Sequence, residues 1–248
     1  MSGVYRRPNI VDYYEDFVDY RNTLSDHFAI TSGTGGSAAL TSADDEGAGG
    51  VLKLSSTAVE TADVMVGFTH RIWRPDAMGI IQAKAFIKIS ADPVGLFFGF
   101  TDDPTEASGA LPIDTEGGTL TTTATHACGL LYDESAADTQ QDSYRLVSVI
   151  NDVDGESHEI KHARNANISE IGWHVLKLNV YEDGSVDAFV GRAHDFEGGK
   201  FGTARPLAAR LSKNKTYSLV LAQAGRGVVV DTLVSLVSCR SQSFARGV

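Results

Sequence analysis

Between Ile80 and Ser90 the chain sets Ile81, Ala83, Ala85, Ile87 and Ile89 at every second position, with Gln82, Lys84 and Lys88 between them and Phe86 interrupting the polar side. Successive side chains of a strand point to opposite faces. A period of two therefore predicts a strand with one face in a core and the other toward water or a partner.

The same period recurs along most of the chain. In Gly95 to Thr101 (GLFFGFT), Leu96, Phe98 and Phe100 point one way and Phe97 the other. Val64, Val66, Phe68, His70 and Ile72 share a face, as do Tyr217, Leu219 and Leu221. The last run, Val228 to Ser238, sets Val228, Val230, Val234 and Leu236 against Val229, Leu233 and Val237. Further strands are expected at Val51 to Leu54, His126 to Tyr132 and Tyr144 to Asn151. The strongest local signal is a hairpin. Leu176, Leu178 and Val180 lead to Glu182, Asp183, Gly184 and Ser185, after which Val186, Ala188 and Val190 resume the apolar side. Asp-Gly tolerates the positive φ of a tight turn. Roughly ten strands without a long helix need two packed sheets or a closed barrel to bury their apolar faces. Several long connections favour an all-β, two-sheet antiparallel β-sandwich with crossings between the sheets. No period of about 20 to 50 residues repeats, which argues against a solenoid or propeller.

A length of 248 residues suits one such domain. Residues 1–30 are expected as an N-terminal arm or a first strand, and residues 31–248 as the sandwich. In VDYYEDFVDY, Tyr13, Phe17 and Tyr20 recur at helical spacing, yet the density of β-formers favours an extended segment. Such an arm would pack on its own domain or on a neighbouring subunit. Thr31 to Gly50 reads as loops around one short strand near Ala38 to Leu40, and Thr105 to Gly118 as a long surface loop, the best placed by composition to face a ligand. The tail from Arg240 to Val248 is expected to fray.

The 32 acidic and 21 basic residues give a formal charge of -11, which repels a phosphate backbone, so no nucleic-acid partner is expected. No apolar run reaches the roughly 18 residues of a membrane span, and the N-terminus lacks the apolar stretch of a secretory leader. No membrane partner is expected. Cys128 and Cys239 are too far apart to form a disulfide framework and read as buried thiols, with a bridge if their strands adjoin.

Catalytic chemistry finds no constellation. There is no G-x-S-x-G elbow. Cys128 follows His126 by two, which is also the ordinary outcome of a strand. His158 and His162 stand four apart without the zincin glutamate. The acidic sets Asp44, Asp45, Glu46; Asp102, Asp103; Asp133, Glu134; and Asp152, Asp154 fall in turns and loops, where acids cap or solvate. Asp102 with Asp103, and Asp152 with Asp154, carry oxygens of the kind calcium takes. No catalytic, cofactor or metal residues are assigned. For partner or glycan contact the candidates are Tyr13, Phe17 and Tyr20 on the opening segment, and Trp73 and Trp173 as stacking platforms.

The hairpin W-H-V-L-K-L-N-V with D-G-S-V-D-A-F-V-G resembles that of the lectin and laminin-G sandwiches. The closing Val230, Asp231, Thr232 and the opening Glu15, Asp16, Phe17 resemble that superfamily's last and first strands. The resemblance implies two curved antiparallel sheets in a jelly-roll arrangement. More narrowly, the order of the acidic-aromatic opening, T-S-G-T-G-G, G-L-F-F-G-F-T-D-D-P and the W-H hairpin is similar to virion structural proteins of tailed bacteriophages. That likeness implies a noncatalytic protein on the phage particle, made in the host cytoplasm. It would decorate or stabilise a capsid through contacts with capsid or other virion proteins, as a homo-oligomer such as a trimer. The alternative is a carbohydrate-binding lectin-like module or, further off, a glycoside-active enzyme.

Overall fold

The computed structural model describes residues 10–15, 17, 24, 28–42, 50–59, 62–68, 72–91, 94–105, 110–116, 119–133, 143–155, 158–160, 172–192, 202–204 and 210–242. Eighteen strands and one four-residue helix make up the regular structure among them. Sheet A contains β1 (Ile10–Glu15), β3 (Gly36–Ser42), β4 (Gly50–Ser56), β6 (Ile80–Ile89), β14 (His174–Val180), β15 (Val186–Arg192), β16 (Gly202–Ala204) and β18 (Val230–Gln242). Its order is β16-β15-β14-β6-β18-β4-β3, with β1 beside the end of β18. Sheet B contains β2 (Ala29–Ser32), β5 (Val64–Gly67), β7 (Val94–Thr101), β10 (His126–Asp133), β11 (Tyr144–Ile150), β12 (Val153–Asp154), β13 (His158–Ile160) and β17 (Ser218–Gly225). Its order is β12-β11-β10-β7-β17-β5-β2, with β13 on β11. A separate hairpin joins β8 (Ile113–Glu116) to β9 (Thr119–Thr122), and α1 (Pro75–Met78) precedes β6. All pairings are antiparallel, and consecutive strands repeatedly cross from one sheet to the other, as the long connections required.

The alternation read along the chain decides which face is which. Ile81, Ala83, Ala85, Ile87 and Ile89 of β6 join Leu96, Phe98 and Phe100 of β7 in one buried cluster between the sheets. Phe97 belongs to a second cluster, with Met65, Ala127, Leu131, Val147, Val149, Val220 and Ala222, on the opposite face of sheet B. Leu111, Ile113 and Ala124 cover that face. Thus the stretch expected as a surface loop at Thr105 to Gly118 instead enters strand β8 and buries Leu111 and Ile113. Apolar residues spaced through a glycine- and acid-rich stretch gave too little periodicity to show this.

Close packing on this covered face depends on glycine. A Cβ on Gly129 would lie 2.5 Å from the Phe98 carbonyl oxygen and 2.7 Å from Cζ of Phe97, so the bare backbone is what admits that ring.

Of the two readings of the opening segment, the first strand holds over residues 10–15, and Phe17 beyond it packs against Phe28 and Phe68. Two other expectations change. Thr31 to Gly50 holds much of two strands, β2 and the seven-residue β3, because small Ala and Ser side chains still pair through backbone. The closing strand runs on to Gln242, held on both sides by β1 and β6.

Candidate functional site

The face of sheet A turned away from the core is built in rows by the strand register. One row runs Leu236, Phe86, Val175, Gly191 across β18, β6, β14 and β15. Trp173, just before β14, stacks on Phe86 with ring centroids 4.9 Å apart and an interplanar angle of 26°. Both rings are half-buried, which leaves part of each in solvent. The next row runs Tyr14, Ser238, Lys84, Lys177, Phe189, with Tyr14 61% exposed at one end. The third carries Arg240, Gln82, Asn179 and Asp187. Aromatic surface thus lies beside amide, ammonium and guanidinium donors on one sheet.

Of the four described residues among the five singled out in the sequence, only Trp173 shows an aromatic face on this surface. Trp73 is fully buried and pairs its backbone with Tyr217, so it has no face to offer a sugar. Phe17 is buried in an aromatic cluster. Tyr13 is half-buried and points inward against the core, opposite to its neighbour Tyr14. Tyr20 lies outside the described residues. Phe86, Phe189, Lys84 and Lys177 were missed as a set because their proximity is created by pairing β6 with β14 and β14 with β15. The interruption of the β6 alternation by Phe86 was the one signal available.

The second polar constellation lies on the covered face of sheet B. Arg226, which follows β17, donates to Asp133 at the end of β10 and to Asp114 on β8. Thr115 adds its hydroxyl to Asp133 at 2.6 Å and its N–H at 3.2 Å. Burial, then the hydrogen bond with Asp133, pushes Asp114 up to about 8. Burial acts to raise Asp133 as well, but the hydrogen bonds from Arg226, Asp114 and Thr115 outweigh it and hold that carboxyl below the usual range. The two acids and one arginine tie the β8–β9 hairpin to the sheet beneath it.

Other polar groups are spent on structure. His174 Nε2 meets the Tyr144 hydroxyl at 2.7 Å across the two sheets, and its Nδ1 meets the Gly172 carbonyl at 2.9 Å. Asp102 receives the His126 N–H at 3.0 Å and faces His126 Nδ1 at 3.1 Å, while Asp103 caps Thr105. Cys128 and Cys239 are buried and not joined in a disulfide, and burial pushes the Cys128 thiol up, away from nucleophilic use. Among the described residues, no three His, Cys, Asp or Glu side chains are grouped so as to hold a metal. His162 is outside those residues. No helix among them is long and apolar enough to cross a membrane.

No protein-family model matches the chain, and no curated protein matches it in sequence. Solved structures do match. Peanut lectin with a nine-residue peptide superposes with a TM-score of 0.63 at 14% identity, over 94% of this chain and 98% of the lectin. Lectin I from Ulex europaeus, in complex with the methyl glycoside of α-L-fucose, gives 0.60 at 10% identity, over 94% and 98%. A β-glucanase from Bacillus licheniformis gives 0.50 at 12%, over 94% and 98%. The fold is therefore the lectin-like jelly-roll sandwich.

Proposed function

We propose that the chain is a noncatalytic, carbohydrate-binding module of the lectin-like type that holds glycans on the outer face of sheet A. The observation that carries this reading is the half-buried Phe86–Trp173 stack, with Lys84 and Lys177 in the next row of the sheet and Gln82 in the row beyond. Sugar rings present apolar C–H faces and polar edges, and a flat aromatic surface rimmed by donors serves both. The lectins among the structural neighbours support the same reading. The glucanase neighbour raises hydrolysis as an alternative. A retaining glycosidase needs two carboxyls about 5–5.5 Å apart flanking an open sugar site. Asp114 and Asp133 here both accept from Arg226 and are built into the attachment of the hairpin, which favours a structural role.

Binding of the purified chain to an immobilised panel of glycans, with and without calcium, tests the proposal. Trp173→Ala should abolish retention, and Val153→Ala, exposed on the other sheet, should leave it intact. Absence of binding to every glycan, or binding indifferent to Trp173→Ala, overturns it. The capsid-attachment reading rests on the sequence resemblance. Retention by assembled phage capsids with no glycan binding would put it in first place.

A further inference from the structure

The third row of the outer face bears on the chemistry of the glycan. Gln82 on β6 and Asn179 on β14 stand directly opposite each other across the antiparallel pair. Alternation turns both outward, since Ile81 and Ala83 on one strand and Leu178 and Val180 on the other belong to the core. Side chains so placed are near enough to join. These two do not. Among the described residues, Asn179 Oδ1 is buried with no hydrogen-bond partner, and neither amide makes a side-chain hydrogen bond. Asp187, the partner of Asn179 on β15, accepts from the Tyr181 hydroxyl at 2.6 Å and brings no donor.

A buried acceptor without a donor is costly, and native proteins leave few of them. Asn179 is 8% exposed, and the terminal torsion of an amide is broad, so a small rotation carries its oxygen to the surface. A group from outside then meets it only by donating. A hydroxyl donates and accepts at once, as an amide does, whereas a carboxylate or sulfate only accepts. The row therefore selects for hydroxyls over anions.

Gln82 also lies on the same face of β6 as Phe86, four positions earlier. At about 3.3 Å per residue, the amide pair and the aromatic stack stand roughly 13 Å apart along the strands. That is longer than one sugar ring with its linkage.

We infer that the ligand is a neutral oligosaccharide of about three rings, laid along β6 and β14. One terminal ring rests on the Phe86–Trp173 stack, and hydroxyls of the far ring are read by Gln82 and Asn179. Between them the chain passes over the row of Lys84 and Lys177. This rests on the glycan-binding reading above and names the residues that set its specificity.

Calorimetric titration of the whole chain with cello-, xylo- and manno-oligosaccharides of graded length, and with an oligogalacturonate, tests the inference. In at least one neutral series the trisaccharide should bind about tenfold or more tighter than the monosaccharide, with little gained beyond it. Asn179→Leu, close in shape but without polar atoms, should cost the trisaccharide about tenfold in affinity and leave the monosaccharide unchanged. Gln82→Ala should act in the same direction. Thermal unfolding of Asn179→Leu should equal or exceed the parent's, since an unmet acceptor is removed, and this separates lost recognition from lost fold. Full affinity for a monosaccharide, trisaccharide binding untouched by both variants, or binding of the galacturonate alone overturns the inference and leaves the glycan reading standing. So does failure of all three neutral series when the immobilised panel retains the chain. A panel that retains nothing removes both.

Discussion

Arg226 grips Asp133 through two parallel hydrogen bonds, Nε to Oδ1 and Nη2 to Oδ2, each 2.9 Å long. The same Nη2 reaches Oδ1 of Asp114 at 2.5 Å. Asp133 and Arg226 belong to the rim of sheet B, and Asp114 to the hairpin lying over it. A single guanidinium therefore fastens the cover to the sheet. Arg226→Ala leaves a carboxylate only 2% exposed without its cation. Breaking such a buried pair costs about 3–5 kcal/mol. Urea denaturation should show the midpoint falling accordingly, and a midpoint within error of the parent's would mean the pair is not buried in solution.

Asp114 sets a pH dependence of its own. Its folded value of about 8 stands above the ordinary 3.8, so the folded chain holds a proton that the unfolded chain releases. The stability this group contributes is full below its ordinary value and is lost as pH rises through about 8. Asp114→Asn removes the titration. Urea midpoints across that window should decline for the parent relative to the variant, and parallel curves would contradict the raised value of Asp114.

His174 is fully buried between the sheets, where the Gly172 carbonyl can only accept, so Nδ1 carries the proton and Nε2 accepts from Tyr144. Tyr144→Phe deprives Nε2 of that donor in the core. The expected loss is about 1–3 kcal/mol in chemical denaturation. Histidine nitrogen chemical shifts unchanged by the substitution would speak against the assigned tautomer.

Gly184 turns the hairpin between β14 and β15 with φ of +85°, and a Cβ there would come 2.1 Å from the Leu211 carbonyl oxygen. Its own carbonyl accepts the Leu211 N–H at 2.8 Å. Gly184→Ala combines left-handed strain with a backbone clash, and should destabilise by about 1–3 kcal/mol. Thermal unfolding reads the loss directly.

Both cysteines are buried and neither is in a disulfide. A thiol reagent should leave the folded chain unmodified and label both residues once it is unfolded in denaturant. Rapid labelling of the native chain would place at least one thiol at the surface.

The alternation in β6, β7, β14, β15 and β18 was readable because each strand has one face between the sheets and must carry apolar residues at every second position. Sequence reading found the β14–β15 turn for the same local reason: Asp183 and Gly184 meet a backbone requirement within a few residues. The shorter strands β2, β8 and β9 escaped because Ala, Ser and Thr pair through backbone and leave a faint side-chain signature. Trp73 and Trp173 were alike in the sequence and opposite in the fold. One sits where β5 and β17 close the core, and the other sits on a solvent face, a difference that no local composition carries.

By itself the order of residues determined the class of fold, since period-two burial in so many segments is satisfied only by sheets covering each other. Tertiary structure decided what the faces present. The register of β1, β18, β6, β14 and β15 brings Tyr14, Lys84, Lys177 and Phe189 into one row from positions 14, 84, 177 and 189. It also sets Leu111, Ile113 and Ala124 over sheet B and joins Asp114 to Arg226. Such contacts depend on which strands become neighbours, and hydrogen-bonded pairing between distant segments leaves no mark on the residues beside each of them.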